Sequence, residues 1–231
     1  MKKLFAATGA VNALCLIVLI LFAGIQLPAF GMWFYRWQYS ANDTYAQVDM
    51  EPEHLHEVTR HMVRYMQGRE PDLQIETVVG GQSRFFFSDI EIRHMEDVRD
   101  LFVIGIYAHW ALIMLFVLTL GLFIWRGRRQ MRILFLAWQI GAGAVFTGLV
   151  MLVGLIAINW HRAFVVFHEM FFNNDYWMLD PRVDLLINIV PYPFFVAVTA
   201  FIGVFFALGL SALGLAAHFA KKAVGDRNER D

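Results

Sequence analysis

Two histidines stand among residues suited to proton transfer. His94 lies in Ser88-Asp89-Ile90-Glu91-Ile92-Arg93-His94-Met95-Glu96-Asp97-Val98-Arg99, directly before a long apolar run that begins at Leu101. His168 lies in an aromatic stretch from Trp160 to Phe172, followed by Asn173-Asn174-Asp175 and then Trp177 and Asp180-Pro181. Imidazole titrates near pH 6.5, so a neutral ring accepts a proton and an adjacent one donates a hydrogen bond near neutral pH. Brought together, the two rings would serve a single reacting group. The competing reading is plainer, with both rings as solvated residues at a membrane surface.

Glu91 and Asp97 lie within one turn of His94. Ser88 and Glu91 form the S-x-x-E pattern of a capping box, so a helix is expected to start near Asp89 and to continue through the apolar run. Glu91 therefore has two candidate roles, as the cap and as a support for His94. Asp97, three residues on, is placed to orient the ring. Glu96 and Arg99 read as a solvated helix face. Metal chemistry fits poorly: Glu91-x-x-His94 is a single copy of a di-iron ligand motif that needs two, and His168-Glu169 lacks the later histidine of H-E-x-x-H. Gly81-Gln82-Ser83-Arg84-Phe85 lacks the final glycine of a nucleophile elbow. Acyl chemistry here would have to proceed without an enzyme-bound ester, and neither metal nor cofactor is expected.

The elements that must position these residues belong to a membrane protein. Of 231 residues, 58% are hydrophobic and 17% charged, outside the range of a soluble domain. The net charge of −1 gives no field for nucleic acid, and the single Cys15 excludes an intrachain disulfide. A bilayer span takes about 20 helical residues. Four runs are long enough, at 1–33, 89–125 (with its polar start outside the bilayer), 133–158 and 193–220. The first resembles a secretory signal but is longer than its apolar region, so a retained helix is expected, with cleavage near Ala29-Phe30-Gly31 as the alternative. Arg126, Arg128, Arg129 and Arg132 crowd the link 126–132. Lys2, Lys3, Lys221, Lys222, Arg227 and Arg230 mark the two ends, including the tail 221–231. Basic residues favour the cytoplasm, so both termini are expected there, with 34–88 and 159–192 outside.

The outer segment 34–88 predicts a small α+β cap. Glu51 to Gln67 reads as a helix with Pro52 in its first turn and Leu55, Val58, Met62, Tyr65 and Met66 on one face. Leu73 to Val79 alternates like a strand, Gly80 to Ser83 reads as a turn, and Arg84 to Phe87 as the return strand. In 159–192 a helix is expected over 160–172. A second is expected over Arg182 to Val190, with Asp180 as its N-cap and Pro181 at its first position. His54, His56 and His61 read as surface, and His109 as a hydrogen-bonding residue between helices. The fold expected is mainly α, with four transmembrane helices and an extracytoplasmic cap.

Glu91-Ile92-Arg93-His94-Met95-Glu96-Asp97-Val98 resembles the E-x-x-H-x-x-D-V element of the lipoprotein intramolecular transacylase (Lit) family. Phe167-His168, Phe171-Phe172, Asn173, Trp177, Pro181, Asp184-Leu185-Leu186, Pro191 and Phe194-Phe195 resemble its second element. The resemblance implies acyl transfer from the sn-2 position of the diacylglyceryl group of a bacterial lipoprotein to the α-amine of its N-terminal cysteine, leaving a lyso-form. It implies diacylated lipoproteins and membrane lipid as partners, the bacterial plasma membrane as location, and His94 and His168 as the essential residues. On that footing His94 is expected to act as base and His168 to stabilise the oxyanion, or the reverse. Asp97 or Glu91 would hold the ring of His94, and Asn173, Trp177 and Asp180 would shape the outer wall. Two alternatives stand beside this: a membrane sensor or assembly subunit, and a haem or quinone redox protein.

Overall fold

The computed structural model describes residues 1–228. Arg230, at the end of the basic tail, lies outside the described residues, as do the side chains of Arg128 and Arg227. In chain order the helices are α1 (Lys2–Phe30), α2 (Met32–Ala41), α3 (Thr44–Gln47), α4 (Pro52–Met66), α5 (Asp89–Arg126), α6 (Arg128–Ile158), α7 (Trp160–Phe171), α8 (Leu186–Ile189) and α9 (Tyr192–Asn228). A hairpin of β1 (Glu76–Val79) and β2 (Gln82–Phe85) separates α4 from α5. α1, α5, α6 and α9 are long and apolar enough to cross a membrane. The chain divides into two compact units, the first being Met1–Gly24, Tyr107–Ile158 and the chain from Ile202, the second Ile25–Ile106 and Asn159–Phe201.

In the first unit, Ile17, Ala142, Phe206, Leu210 and Leu213 form one buried cluster and Phe5, Phe123 and Leu134 another. A polar knot joins three helices. The fully buried Asn12 donates to the Phe116 carbonyl (3.0 Å) and to Thr119 Oγ1 (2.7 Å), and accepts from Trp138 Nε1 (2.8 Å). In an apolar surround such bonds have few substitutes, and each is worth about 1–2 kcal/mol in model helices. Asn12→Ala is expected to lower Tm by about 2–8 °C in detergent. An unchanged Tm would show that the knot does not stabilise the helices. Among the described residues His109 makes no interhelical hydrogen bond, contrary to expectation. Its ring stacks on Phe22 with centroids 6.0 Å apart, and its buried Nδ1 has no partner.

The second unit carries the polar residues of interest. Its core holds Phe34, Tyr39, Leu55, Val58, Met62, Phe86, Met95, Leu186, Ile189 and Phe194 in one cluster. The 34–88 segment thus shares a core with the start of α5 and with the 159–192 segment. The predicted face of α4 is buried throughout, and Tyr39 Oη meets Thr59 Oγ1 at 2.8 Å inside it. β1 and β2 pair antiparallel, Glu76 opposite Phe85 and Val79 opposite Gln82. Gly80 and Gly81 both have positive φ, at 58° and 76°, which makes a two-residue turn of the type that suits hairpin twist.

Several boundaries depart from expectation. The first apolar run is broken after Phe30 by Gly31, whose extended conformation starts α2. A Cβ there would fall 2.4 Å from the Leu27 carbonyl oxygen, so glycine alone fits. The hairpin is tighter than predicted, because the turn takes two residues instead of four. The basic link between α5 and α6 reduces to Gly127, since residues 128–132 are themselves good helix formers. The helix expected over Arg182 to Val190 exists only as the single turn α8. The predicted start is capped as expected, with Asp180 Oδ1 accepting from Arg182 N (3.0 Å), Asp184 Oδ2 from Asp180 N (2.8 Å) and the Asp180 carbonyl from Asp184 N (2.8 Å), but the Leu186 N–H then goes to Glu91 and the turn does not continue. His54, His56 and His61 are half-buried, not free surface residues, and His56 Nε2 meets Tyr45 Oη at 2.9 Å.

Candidate active site

The start of α5 is fixed by the predicted box and by more besides. Glu91 Oε2 accepts from the Ser88 N–H (2.6 Å), and the Glu91 N–H points to Ser88 Oγ (3.5 Å). Glu91 Oε1 accepts the Leu186 N–H at the head of α8, and Ser88 Oγ donates to Asp184 Oδ1 (3.0 Å). Glu91 is 1% exposed and Asp184 5%. Two buried carboxylates and one hydroxyl therefore tie α5 to the 180–189 loop. Burial pushes the Glu91 carboxyl up, outweighing the two backbone N–H groups that pull it down.

One turn along α5, before its apolar portion begins, His94 faces His168 of α7. The ring centroids are 6.3 Å apart. Phe172 packs on both, 5.4 Å from His94 and 5.7 Å from His168. His168 is enclosed by aromatics, with Phe164 at 4.2 Å and Trp177 stacked at 4.7 Å. Its Nδ1 lies 2.8 Å from the Phe164 carbonyl oxygen. A carbonyl can only accept, so Nδ1 carries the proton and the neutral ring keeps its lone pair on Nε2. Burial lowers the pKa of His168 against the pull of that bond. His94 is lowered to about 4, by burial first and by His168 second, with Asp97 opposing. Both rings are neutral at physiological pH. The buried His94 Nδ1 has no partner.

The supporting residues divide. Neither Glu91 nor Asp97 hydrogen-bonds the His94 ring. Glu91 is committed to Ser88 and Leu186, and Asp97 Oδ2 accepts from Asn174 Nδ2 (2.8 Å) while its charge still acts on His94. Asn173 is exposed, and the adjacent Asn174 turns inward instead. Trp177 stacks on His168, and Asp180 pairs with Arg182 at the surface.

This arrangement can do proton chemistry on a group held between two neutral imidazoles. A family model described as lipoprotein intramolecular transacylase Lit matches residues 10–195. The chain belongs to the Lit family. It is a membrane-integral acyltransferase that moves an acyl group within a lipoprotein. Among solved structures, Lit from Bacillus cereus matches with a TM-score of 0.77 at 20% identity, over 100% of both chains. Two histidine variants of the Bacillus cereus protein, one to alanine and one to arginine, match at TM-scores of 0.73 and 0.71. Each is 19% identical and covers 100% of this chain, with 97% and 95% of the other. None of the curated proteins compared matches the chain.

Three residues of this candidate site escape a reading of the sequence, Phe164, Asn174 and Tyr176, and so does the bond from Ser88 to the Asp184 carboxylate. Phe164 acts through its carbonyl, which no side-chain pattern reports. Its place four residues before His168 on a helix was the available signal.

Proposed function

We propose that the chain transfers the sn-2 acyl group of a diacylglyceryl-modified lipoprotein to the α-amine of the same molecule's N-terminal cysteine, at the extracytoplasmic face of the bacterial plasma membrane, with His168 as base and His94 as oxyanion donor. The observation that carries the assignment of roles is the His168 Nδ1–Phe164 carbonyl bond. It leaves Nε2 as the acceptor in the neutral ring, which favours the second of the two assignments left open above.

The amine nitrogen attacks the ester carbonyl carbon, and the carbonyl oxygen becomes an oxyanion. His168 Nε2 takes the proton from the N-protonated adduct, a much stronger acid than a free ammonium, so a weak base suffices. His94 keeps its lone pair on the unpartnered Nδ1 and donates Nε2–H to the oxyanion. The carbon–oxygen bond to glycerol then breaks, the departing oxygen takes the proton from His168, and an amide remains. Donor and acceptor share one molecule, so proximity is already supplied and no acyl-enzyme is needed.

Mass spectrometry of a lipoprotein N-terminus, in cells lacking other N-acylating enzymes, tests the reading. N-acyl, lyso-form product is expected only when the protein is present. The pH profile tests the electrostatics. Both histidines titrate below their ordinary value, so they stay neutral throughout the neutral range. The acid limb should instead follow the substrate amine, with a midpoint of about 7.7–8.0. A midpoint at or below about 6.5 would place the controlling ionisation on a histidine.

A further inference from the structure

We propose that a groove beside His94 receives the peptide that follows the lipidated cysteine, and that its acidic rim favours cationic side chains in the first residues of that peptide. The inference rests on the reading of His94 and His168 given above. The groove is a shallow, open depression of about 620 Å3 between Asp89, Ile92, Arg93, Glu96 and Asp97 of α5 and Tyr176 of the facing segment. That volume lies within the roughly 300–1,000 Å3 of ordinary ligand sites.

Its floor is a helix face, because Asp89, Arg93 and Glu96 recur at spacings of four and three. Its wall is set by Arg93, which donates from Nη1 to Tyr176 Oη (3.3 Å) and lies 5.7 Å from that ring's centre. Asp97 closes the end nearest the reacting centre: it lines the groove, takes the Asn174 amide, and its charge reaches His94. Three carboxylates stand against one guanidinium, so the groove is net negative.

The surroundings of His168 have the contrary character. His168 is ringed by Phe164, Phe167, Phe172 and Trp177, and the α7 side chains Phe167, Met170 and Phe171 present exposed apolar surface. A lipidated cysteine is divided in the same sense, with acyl esters on one side of the reacting amine and peptide on the other. A polar groove on the His94 side and an aromatic surface on the His168 side would seat it in one orientation. Since the rim is exposed, its contribution is a modest preference that salt screens.

The test uses the full-length protein in neutral detergent. The substrates are diacylated lipopeptides whose residues after the cysteine are all lysine, all serine or all glutamate, with N-acyl product followed by mass spectrometry. At low salt the lysine peptide should show a KM about 2- to 10-fold below that of the glutamate peptide, with serine between. The spread should collapse at about 1 M salt. In Asp89→Lys/Glu96→Lys the ranking should invert, and Tyr176→Ala should raise KM for all three. Equal KM values for the lysine and glutamate peptides in the unaltered protein would overturn the proposal, as would an order that survives the double substitution. Charge-independent turnover sinks the groove alone, whereas absence of N-acyl product from every peptide sinks the histidine reading with it.

Discussion

His168→Ala is expected to lower the rate of N-acyl product formation by about 10²- to 10⁴-fold, the range lost with a positioned base. His94→Ala should cost about 10²- to 10³-fold, as removal of one oxyanion donor does. The two losses are not expected to add, because both groups serve one tetrahedral species, so the double variant should resemble the worse single one. Glutamine separates the roles. Its amide N–H can replace a donor but its oxygen is no proton acceptor of useful basicity. His94→Gln should therefore recover part of the rate lost in His94→Ala, and His168→Gln should recover none over His168→Ala. The opposite pattern would exchange the two roles. A Tm close to that of the unaltered protein in all five variants is the necessary control.

The residues that meet here were legible in the sequence for different reasons. The start of α5 was readable because a capping box is a local device: Ser88 and Glu91 are three residues apart, and nothing distant decides whether they pair. The four apolar helices were readable because bilayer thickness sets a length that composition must meet. That His94 and His168 belong together was available only through the two family-like elements, since 74 residues and two spans separate them. What stayed hidden were long-range hydrogen bonds. Glu91 caps two helices, and its second partner lies in the segment 180–189, 95 residues away. Asn174 turns inward and Asn173 outward, a distinction that depends on which backbone bend the 172–176 segment takes. The helix expected over 182–190 failed for the same reason. The predicted cap formed, with Asp180 Oδ1 accepting the Arg182 N–H and the Asp180 carbonyl the Asp184 N–H, but the Leu186 N–H that would continue the turn goes to Glu91, 95 residues away.

Glu91→Ala is the second large effect expected, and it concerns stability. Glu91 is 1% exposed, and its two oxygens accept the Ser88 and Leu186 N–H groups. Alanine would leave both donors buried without partners, at about 1–3 kcal/mol each. The sum, about 2–6 kcal/mol, is comparable with the whole stability of many domains. For a chain of this size Tm should fall by about 5–20 °C. Ser88→Ala removes only the hydroxyl half of the box and its bond to Asp184, and should cost about 0.5–2 kcal/mol. Glu91→Gln should cost less than alanine but still about 1–3 kcal/mol, since it keeps the volume and one acceptor oxygen while its NH2 faces the second N–H and leaves it unpaired. It should also change the pH dependence in a defined sense. Burial holds the Glu91 carboxyl above its ordinary 4.5 in the folded chain. The folded state then binds this proton more tightly than the unfolded chain does. The stability it brings is full below pH 4.5 and is lost as pH rises through the folded value. Glutamine does not titrate, so the corresponding slope in Tm against pH should disappear. Because Glu91 touches neither histidine, Glu91→Gln assayed well below its Tm should turn over at close to the unaltered rate. Loss of turnover with an unchanged Tm would instead give Glu91 a direct part in the chemistry.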